Sequence, residues 1–499
     1  MSLKTFLIQQ AAAYTHAQIG KWKKTALSDQ QLLLEKLVSR AKNTAFGVDH
    51  GFSEIKTYAD FKKRVPVRDY EDLRPYIDRL TKGEENVVWP GKPRYFAKTS
   101  GTTSGVKYIP ISDESMPNHL NTARTAMLNY FHNAGSARVF DGRVMFLSGS
   151  PTLEQKGGVP TGRLSGIVNH EVPSWIKTNQ LPSFPTNCIE DWETKVEAIV
   201  DETMHQDMRL ISGIPPWVQM YYEKILSRTG KDTLMEVFPN FSLFMYGGVN
   251  FEPYRAKLEE LVGKRIDSIE TYPASEGFIA FQDEISHEGL LLNTRSGIFF
   301  EFVPIEHAFD KNPIRLMLDE VEVGKDYALI INNNAGLWGY SIGDCVRFTS
   351  INPYRLVVSG RVKHFISAFG EHVIGKEVEE AMRIVANQWQ ASTIEFTVAP
   401  QVNPADQSLP YHEWFVEFGQ VPTDLSEFAK QLDAEMRRQN IYYDDLISGH
   451  ILQPLKITMM QKDAFRNYMK SQGKLGGQNK VPRLSNDRTL ADALAAFVL

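Results

Sequence analysis

Arg209-Leu210-Ile211-Ser212-Gly213-Ile214-Pro215-Pro216-Trp217 is the stretch that decides the fold class. Arg209 to Ser212 reads as a short strand and Gly213 as a tight turn. Pro215 or Pro216 then opens a helix, where the missing N–H costs little. A second unit of the same kind follows, with Phe241 to Tyr246 as strand, Gly247-Gly248 as turn and Glu252 to Val262 as helix. Repeated strand-turn-helix units predict an α/β layered domain whose ligand lies beyond the strand ends.

Upstream, the first hundred residues read as mainly helical, with Leu32, Leu33, Leu37 and Val38 at helix spacing between Asp29 and Lys42. Ser112 is placed to cap a helix running towards His132. Val144 to Leu147 reads as a buried strand, and Gly149 to Gly166 as a Gly/Pro-rich loop. Downstream, Ile266 to Thr349 is strand-rich. Beyond Ser367 the pattern changes: Ile374–Trp389, Asp424–Arg438 and Lys462–Gln472 read as helices, and Ile394–Val398, His412–Phe418 and Leu455–Met459 as strands. The boundary falls near Gly360. It separates a large α/β domain, 1–360, with β-sheets layered by helices, from a smaller α+β domain, 361–499.

At 499 residues the chain is too long for one ordinary core. Its 42% apolar and 23% charged residues are those of a folded soluble protein. A net charge of −5 leaves no footprint for nucleic acid. No apolar run reaches membrane-spanning length, and Met1 to Tyr14 does not read as a secretory signal. Two cysteines, Cys188 and Cys345, make no disulfide framework, so a cytoplasmic address is expected.

Four clusters carry candidate chemistry. The first is Lys98-Thr99-Ser100-Gly101-Thr102-Thr103-Ser104-Gly105-Val106-Lys107, whose hydroxyls, glycine backbone and cation suit a phosphate cradle without Walker A spacing. The second, Thr271-Tyr272-Pro273-Ala274-Ser275-Glu276-Gly277, sets a ring, a hydroxyl and a carboxylate between two extended segments. Tyr272 is a candidate to lie against a purine, Ser275 to donate to phosphate, and Glu276 to hold Mg²⁺, a hard cation content with one or two carboxylates plus phosphate oxygens. The third, Gly339-Tyr340-Ser341-Ile342-Gly343-Asp344, reads as a hairpin-like turn ending in a carboxylate able to accept from ribose hydroxyls. The fourth, Gln478-Asn479-Lys480-Val481-Pro482-Arg483, offers a cation at the exit of a Gly/Gln-rich loop. Each also has a plain reading as a surface turn or a solvated charge.

Together the clusters resemble the adenylate-forming superfamily and, within it, the GH3 family of acyl acid amido synthetases, in a bacterial-type member. Ser100 to Ser104 is similar to the family's Ser/Thr-rich first ATP motif, Tyr272 to Glu276 to its Y-x-x-S-E motif, and Tyr340 to Asp344 to its Y-x-x-G-D motif. Gly360-Arg361 falls at the family's hinge, which implies that the smaller α+β domain, 361–499, is mobile, and Gln478 to Arg483 resembles its Q-x-K-x-P-R. Plant members usually carry Arg where Ser341 stands.

The resemblance implies that MgATP and a small carboxylic acid give an acyl-adenylate, which an amine, typically an amino acid, then attacks. It implies ATP contacts from Ser100, Gly101, Thr102, Thr103, Ser104, Gly248, Tyr272, Ser275, Asp344 and Arg361. Glu276 would hold Mg²⁺, and Lys480 would neutralise charge at the α-phosphate. The acyl pocket is expected near His119, the stretch from Ile167 to Trp175, Ile214 and Trp217. Histidines 119, 170, 364 and 372 are candidate bases. An acyl-CoA ligase is the nearest alternative, although such ligases usually have Pro and Thr where Val106 and Ser275 stand. A nucleotide- or acyl-binding relative without catalysis is the other.

Overall fold

The computed structural model describes residues 3–100, 106–248, 251–362, 365–366, 373–402, 404–406, 408–448, 452–474, 480–485 and 487–499. The chain divides into two compact units, Met1–Ile342 with Val346–Val357, and Gly343–Cys345 with Val358–Leu499.

The first unit opens with a helix of 39 residues, Leu3–Ala41, far longer than the segment that leucine spacing alone marks. Its buried strip is narrow: Ala12, Ile19, Trp22, Ala26, Leu34, Leu37 and Val38 face inward, while Leu32 is exposed. So thin a strip gives little periodic signal over its first half. A four-stranded sheet runs in the order β2-β1-β5-β4, with β1 Tyr95–Ser100, β2 Val106–Ile111, β4 Glu154–Lys156 and β5 Val159–Gly162. The last two occupy the stretch read as loop. Gly157 and Gly158, at φ +56° and +72°, turn a hairpin between strands too short to show alternation.

An eleven-stranded sheet forms the body of this unit. Its parallel part holds β3 (Arg143–Phe146), β6 (Gln180–Leu181), β7 (Met208–Ser212), β8 (Leu243–Gly247) and β9 (Asp267–Ala274), in the order β9-β8-β7-β3-β6. Antiparallel strands extend it: β10 (Gly277–Phe281), β11 (Leu290–Leu292), β12 (Ile298–Pro304), β13 (Asp326–Asn333), β14 (Tyr340–Ile351) and β15 (Tyr354–Arg361). Both faces of the parallel strands are covered, as continuous apolar runs require. Met145, Ile211, Phe244 and Tyr246 pack into one cluster, which also takes in residues of the helices Trp192–Thr203, Pro215–Thr229 and Glu252–Val262. Their neighbours Val144, Leu210, Leu243 and Met245 pack into another, with Ala12 of the first helix and Tyr130 and Phe131 of the helix Met116–Asn133. That alternation is the strand period of two, and each large side chain so buried contributes about 1.5–3 kcal/mol.

In the second unit, β16 (Phe365–Ile366) pairs with β17 (Val373–Ile374). A sheet of β18 (Ser392–Gln401), β19 (Tyr411–Gln420) and β20 (Lys456–Met459) packs Phe396, Val398, Trp414 and Val416 against Val378, Met382, Phe428 and Leu432 of the helices Gly375–Gln388 and Leu425–Gln439. Among the described residues no helix is long and apolar enough to cross a membrane.

Candidate active site

The parallel strands of the first unit end together. Leu147 N donates to Ser212 O at 2.8 Å and Gly213 N to Met245 O at 3.0 Å, so β3, β7 and β8 release their loops at one edge of the sheet. Ile214 caps the helix that starts at Pro215, and Trp217 lies in its first turn, both half-buried. At the end of β9, Ala274 pairs with Gly277 of β10, leaving Ser275 and Glu276 as the two residues of a hairpin turn. Ser275 is buried and Glu276 half-buried. Tyr272 is 8% exposed and belongs to the main core, so packing claims most of the ring expected to face a purine.

Asn333 fastens this turn, and its neighbours Asn332 and Asn334 fasten the segments beside it; none of the three belongs to the four sequence clusters. Asn333 Nδ2 donates to Glu276 O at 2.7 Å, while its Oδ1 accepts from Ala335 N and Leu337 N, both at 3.0 Å. Asn332 Oδ1 accepts from Gly339 N at 2.6 Å, just before Tyr340. Asn334 O accepts from Ser112 Oγ at 2.6 Å, and Asn334 Nδ2 donates to Glu114 O at 2.9 Å. The segment after β2, the Glu276 turn and the start of β14 thus share one polar clasp. Its visible trace is an Asn-Asn-Asn run closing an apolar strand, where asparagine is normally depleted.

Ser112 acts one turn earlier than expected. Its Oγ accepts from Glu114 N and Ser115 N at 3.2 and 2.9 Å, ordering the turn that leads to a helix start at Met116. On that helix His119 is 5% exposed, burial pushes its imidazole down to about 4, and Nδ1 has no hydrogen-bond partner among the described residues. A neutral ring so weakly basic is poorly suited to deprotonating an amine. His170 Nε2 lies 2.7 Å from Pro151 O. His364 and His372 lie outside the described residues.

In the first cluster, Ser100 and Val106 form the last pair of the β1–β2 ladder. Gly101, Thr102, Thr103 and Ser104 lie outside the described residues, as does the Ser100 side chain. Lys98 pairs with Glu154 at 3.0 Å, and the Lys107 ammonium sits 5.5 Å from the centre of the Tyr70 ring. Gly248 follows the end of β8.

Tyr340 to Asp344 is not the turn expected; it opens β14. The partner is Arg68, remote in sequence: Arg68 N donates to Gly339 O and Ser341 N to Arg68 O, each at 2.8 Å. An arginine therefore stands beside Ser341, but its guanidinium turns to His50 Nε2, 2.6 Å away, and over the Phe46 ring. Tyr340 is 1% exposed and part of the core.

Asp344 belongs to the second unit and is 7% exposed; beside it Val362 N donates to Gly343 O at 2.7 Å. Arg361 ends β15, with its side chain outside the described residues. Lys480 is exposed, and Gln478 and Asn479 lie outside the described residues. The residues after Lys480 are firmly held: Thr397 Oγ1 donates to Pro482 O at 2.7 Å, Val398 N to Arg483 O at 2.9 Å, and Arg483 pairs with Glu379 at 2.9 Å and with Glu395. Lys480 is thereby tethered to β18.

Family models match in sequence order: the GH3 family N-terminal domain over 15–187, the central domain over 291–361 and the C-terminal domain over 376–489. A jasmonoyl–L-amino acid synthetase of Oryza sativa subsp. japonica is 23% identical over 545 aligned positions, covering 92% of this chain and 92% of the relative. Among solved structures, the GH3.15 acyl acid amido synthetase aligns with a TM-score of 0.80 at 16% identity, over 97% of this chain and 95% of its own. A 2-hydroxyisobutyryl-CoA ligase in the postadenylation state aligns at 0.59 and 14% identity, over 96% and 92%. The fold is that of these ligases, and the chain belongs to the GH3 family.

Proposed function

We propose that this protein is an ATP-dependent acyl acid amido synthetase, a ligase that joins a small carboxylic acid to an amine, most fittingly an amino acid. In the first half-reaction a carboxylate oxygen of the acid attacks the α-phosphorus of ATP; that P–O bond forms, the bond to the β-phosphate oxygen breaks, and pyrophosphate leaves. In the second, the amine nitrogen attacks the acyl carbon, the C–N bond forms, the C–O bond to phosphate breaks, AMP leaves and the nitrogen gives up a proton.

The observation that carries this reading is the clasp of Asn332, Asn333 and Asn334, which holds the Ser275–Glu276 turn in register with the segments that follow the first motif and precede the third. Catalysis of this type is positioning and charge neutralisation. Ser100, Thr102, Thr103 and Ser275 would hold phosphate oxygens, with Gly101, Ser104 and Gly248 giving the backbone close approach; Asp344 would fix the ribose, Tyr272 would border the base, and Arg361 would steady the nucleotide. Lys480 would neutralise charge on the α-phosphate. A half-buried carboxylate at a turn fits Mg²⁺, which takes most of its oxygens from phosphates and water, and Glu276 would be its ligand. Bound there, the ion would offset phosphate charge. Ile214, Trp217 and neutral His119 would wall the acyl pocket.

In this reading residues 1–360 carry the ATP and acyl sites, residues 361–499 bring the lysine, and rotation at Gly360-Arg361 separates the two steps. Ser341 supports a bacterial-type member, and two free cysteines suit a cytoplasmic setting. ATP–pyrophosphate exchange over a panel of aromatic and alkyl carboxylic acids tests the first half-reaction, and adding amino acids or CoA to the best responder tests the second. AMP release with CoA but with no amino acid would make the protein an acyl-CoA ligase instead. ATP binding without exchange under any acid would make it a binding protein.

A further inference from the structure

The helix Leu164–Glu171 lies directly on the loop that follows β3. A Cβ at Gly166 would come within 2.5 Å of Ser150 O, and Gly149 N donates to Ser165 Oγ at 3.3 Å. Arg163, the residue before this helix, packs on the same loop, its Cδ 2.8 Å from where a Gly149 Cβ would sit. The side chain is half-buried, and among the described residues its guanidinium donates no hydrogen bond and meets no acid. Burial pushes its acidity up, as expected for a cation drawn out of water.

A second cation is built in nearby. The Lys195 ammonium, on a residue 2% exposed, donates to Ser148 O at 2.9 Å and Asn187 O at 2.7 Å. Burial pulls it down to about 8, and the charge of Arg163 acts in the same direction. Asn187 is fully buried; its Nδ2 donates to Ser148 Oγ at 3.2 Å, and its Oδ1 has no partner among the described residues. The loop after β3 is thus held by buried polar groups, with a planar five-donor fork beside it that takes no hydrogen-bond acceptor among the described residues. Such a fork matches a carboxylate in two parallel hydrogen bonds.

We propose that Arg163 is the receptor for a second substrate carboxylate, one that is not adenylated. This rests on the reading of the chain as an acyl acid amido synthetase. Along the strand ends β3 lies three strands from β9, which at about 4.8 Å per strand is about 14 Å from the Ser275–Glu276 turn. That span suits the far end of an extended acid; the carboxylate of the amino acid is the other source of the same chemistry.

Exchange kinetics of wild type, Arg163→Gln and Arg163→Lys, with suberate against octanoate, address the first source. Conjugation kinetics with the best L-amino acid against its α-amide address the second. The expected result is a rise in KM of about tenfold or more in Arg163→Gln, with a much smaller change in kcat, confined to the member of one pair that carries the extra carboxylate. Arg163→Lys, which keeps the charge but not the fork, is expected to recover part of it. A KM unmoved in both pairs, or moved equally within each pair, would overturn the subsite. If wild type shows no exchange with any acid, the enzymatic reading fails by itself, and calorimetry with suberate and L-glutamate then decides: binding lost in Arg163→Gln sustains the subsite, and binding equal in both proteins or absent from wild type removes it.

Discussion

At the scale of single residues, the account assigns unequal burdens. Glu276→Ala and Lys480→Ala are each expected to lower pyrophosphate exchange by about 10²-fold or more, the usual consequence of losing one transition-state contact. Near-wild-type exchange in either variant would remove that residue from the mechanism. His119 makes a different prediction. Its folded-state pKa of about 4 lies below the ordinary 6.5, so as pH falls the unfolded chain takes up the proton first. Stability tied to the neutral ring is present above pH 6.5 and drains away between 6.5 and 4, by about 3 kcal/mol at most. Denaturant melts at pH 7 and pH 5 should show a smaller acid loss in His119→Gln than in wild type; an equal loss would place the sensitivity elsewhere. Side-chain types could be read from the sequence here, but environments could not. Glu276 and Tyr272 are obvious as letters, yet nothing local says that the tyrosine ring is 8% exposed and the histidine sealed.

Among the elements, legibility followed the range of the interactions. The strand-turn-helix units around Gly213 and Gly247 were readable because each is built from neighbours: a strand, a turn, and proline at a helix start. Tyr340 to Asp344 was misread as a turn: its glycines suit a turn locally, yet it opens β14 between β13 and β15, and the bridge that fixes its first residue comes from Arg68, far upstream. Gly339, which lets the chain enter β14, sits at φ +58° with Pro66 O only 2.3 Å from the place of a Cβ, a crowding no local pattern reports. The asparagine clasp was missed for the same reason, since all three side chains reach segments remote in sequence. Asn333→Ala removes three hydrogen bonds around the Glu276 turn and the 335–337 turn. Leaving such groups unmet is expected to cost about 1–3 kcal/mol each where water cannot replace the bond. Exchange activity should fall by about tenfold or more even at temperatures where the variant is fully folded. A variant destabilised but with undiminished exchange would make the clasp purely architectural.

For the whole molecule, the sequence marks a boundary near Gly360, whereas the compact units interleave: Gly343–Cys345 joins the second unit, ahead of the last stretch of the first. Asp344 therefore groups with the unit that holds Lys480 rather than with the unit of Glu276, an arrangement hidden in a linear reading because β14 passes from one unit into the other partway along its length. If rotation between half-reactions is required, a disulfide engineered between the units should slow at least one half-reaction, restored by reduction. Both half-reactions at full rate in the cross-linked protein would end the hinge proposal. The central claim, that the acid is activated as an adenylate before amide formation, is tested most directly by isotope transfer. The best-responding acid is labelled with oxygen-18 in its carboxylate and turned over with ATP and an amino acid, and the nucleotide product is weighed. One labelled oxygen per AMP, in equal amount to the amide formed, is the predicted result; unlabelled AMP, or label in inorganic phosphate with ADP as the nucleotide product, would contradict it.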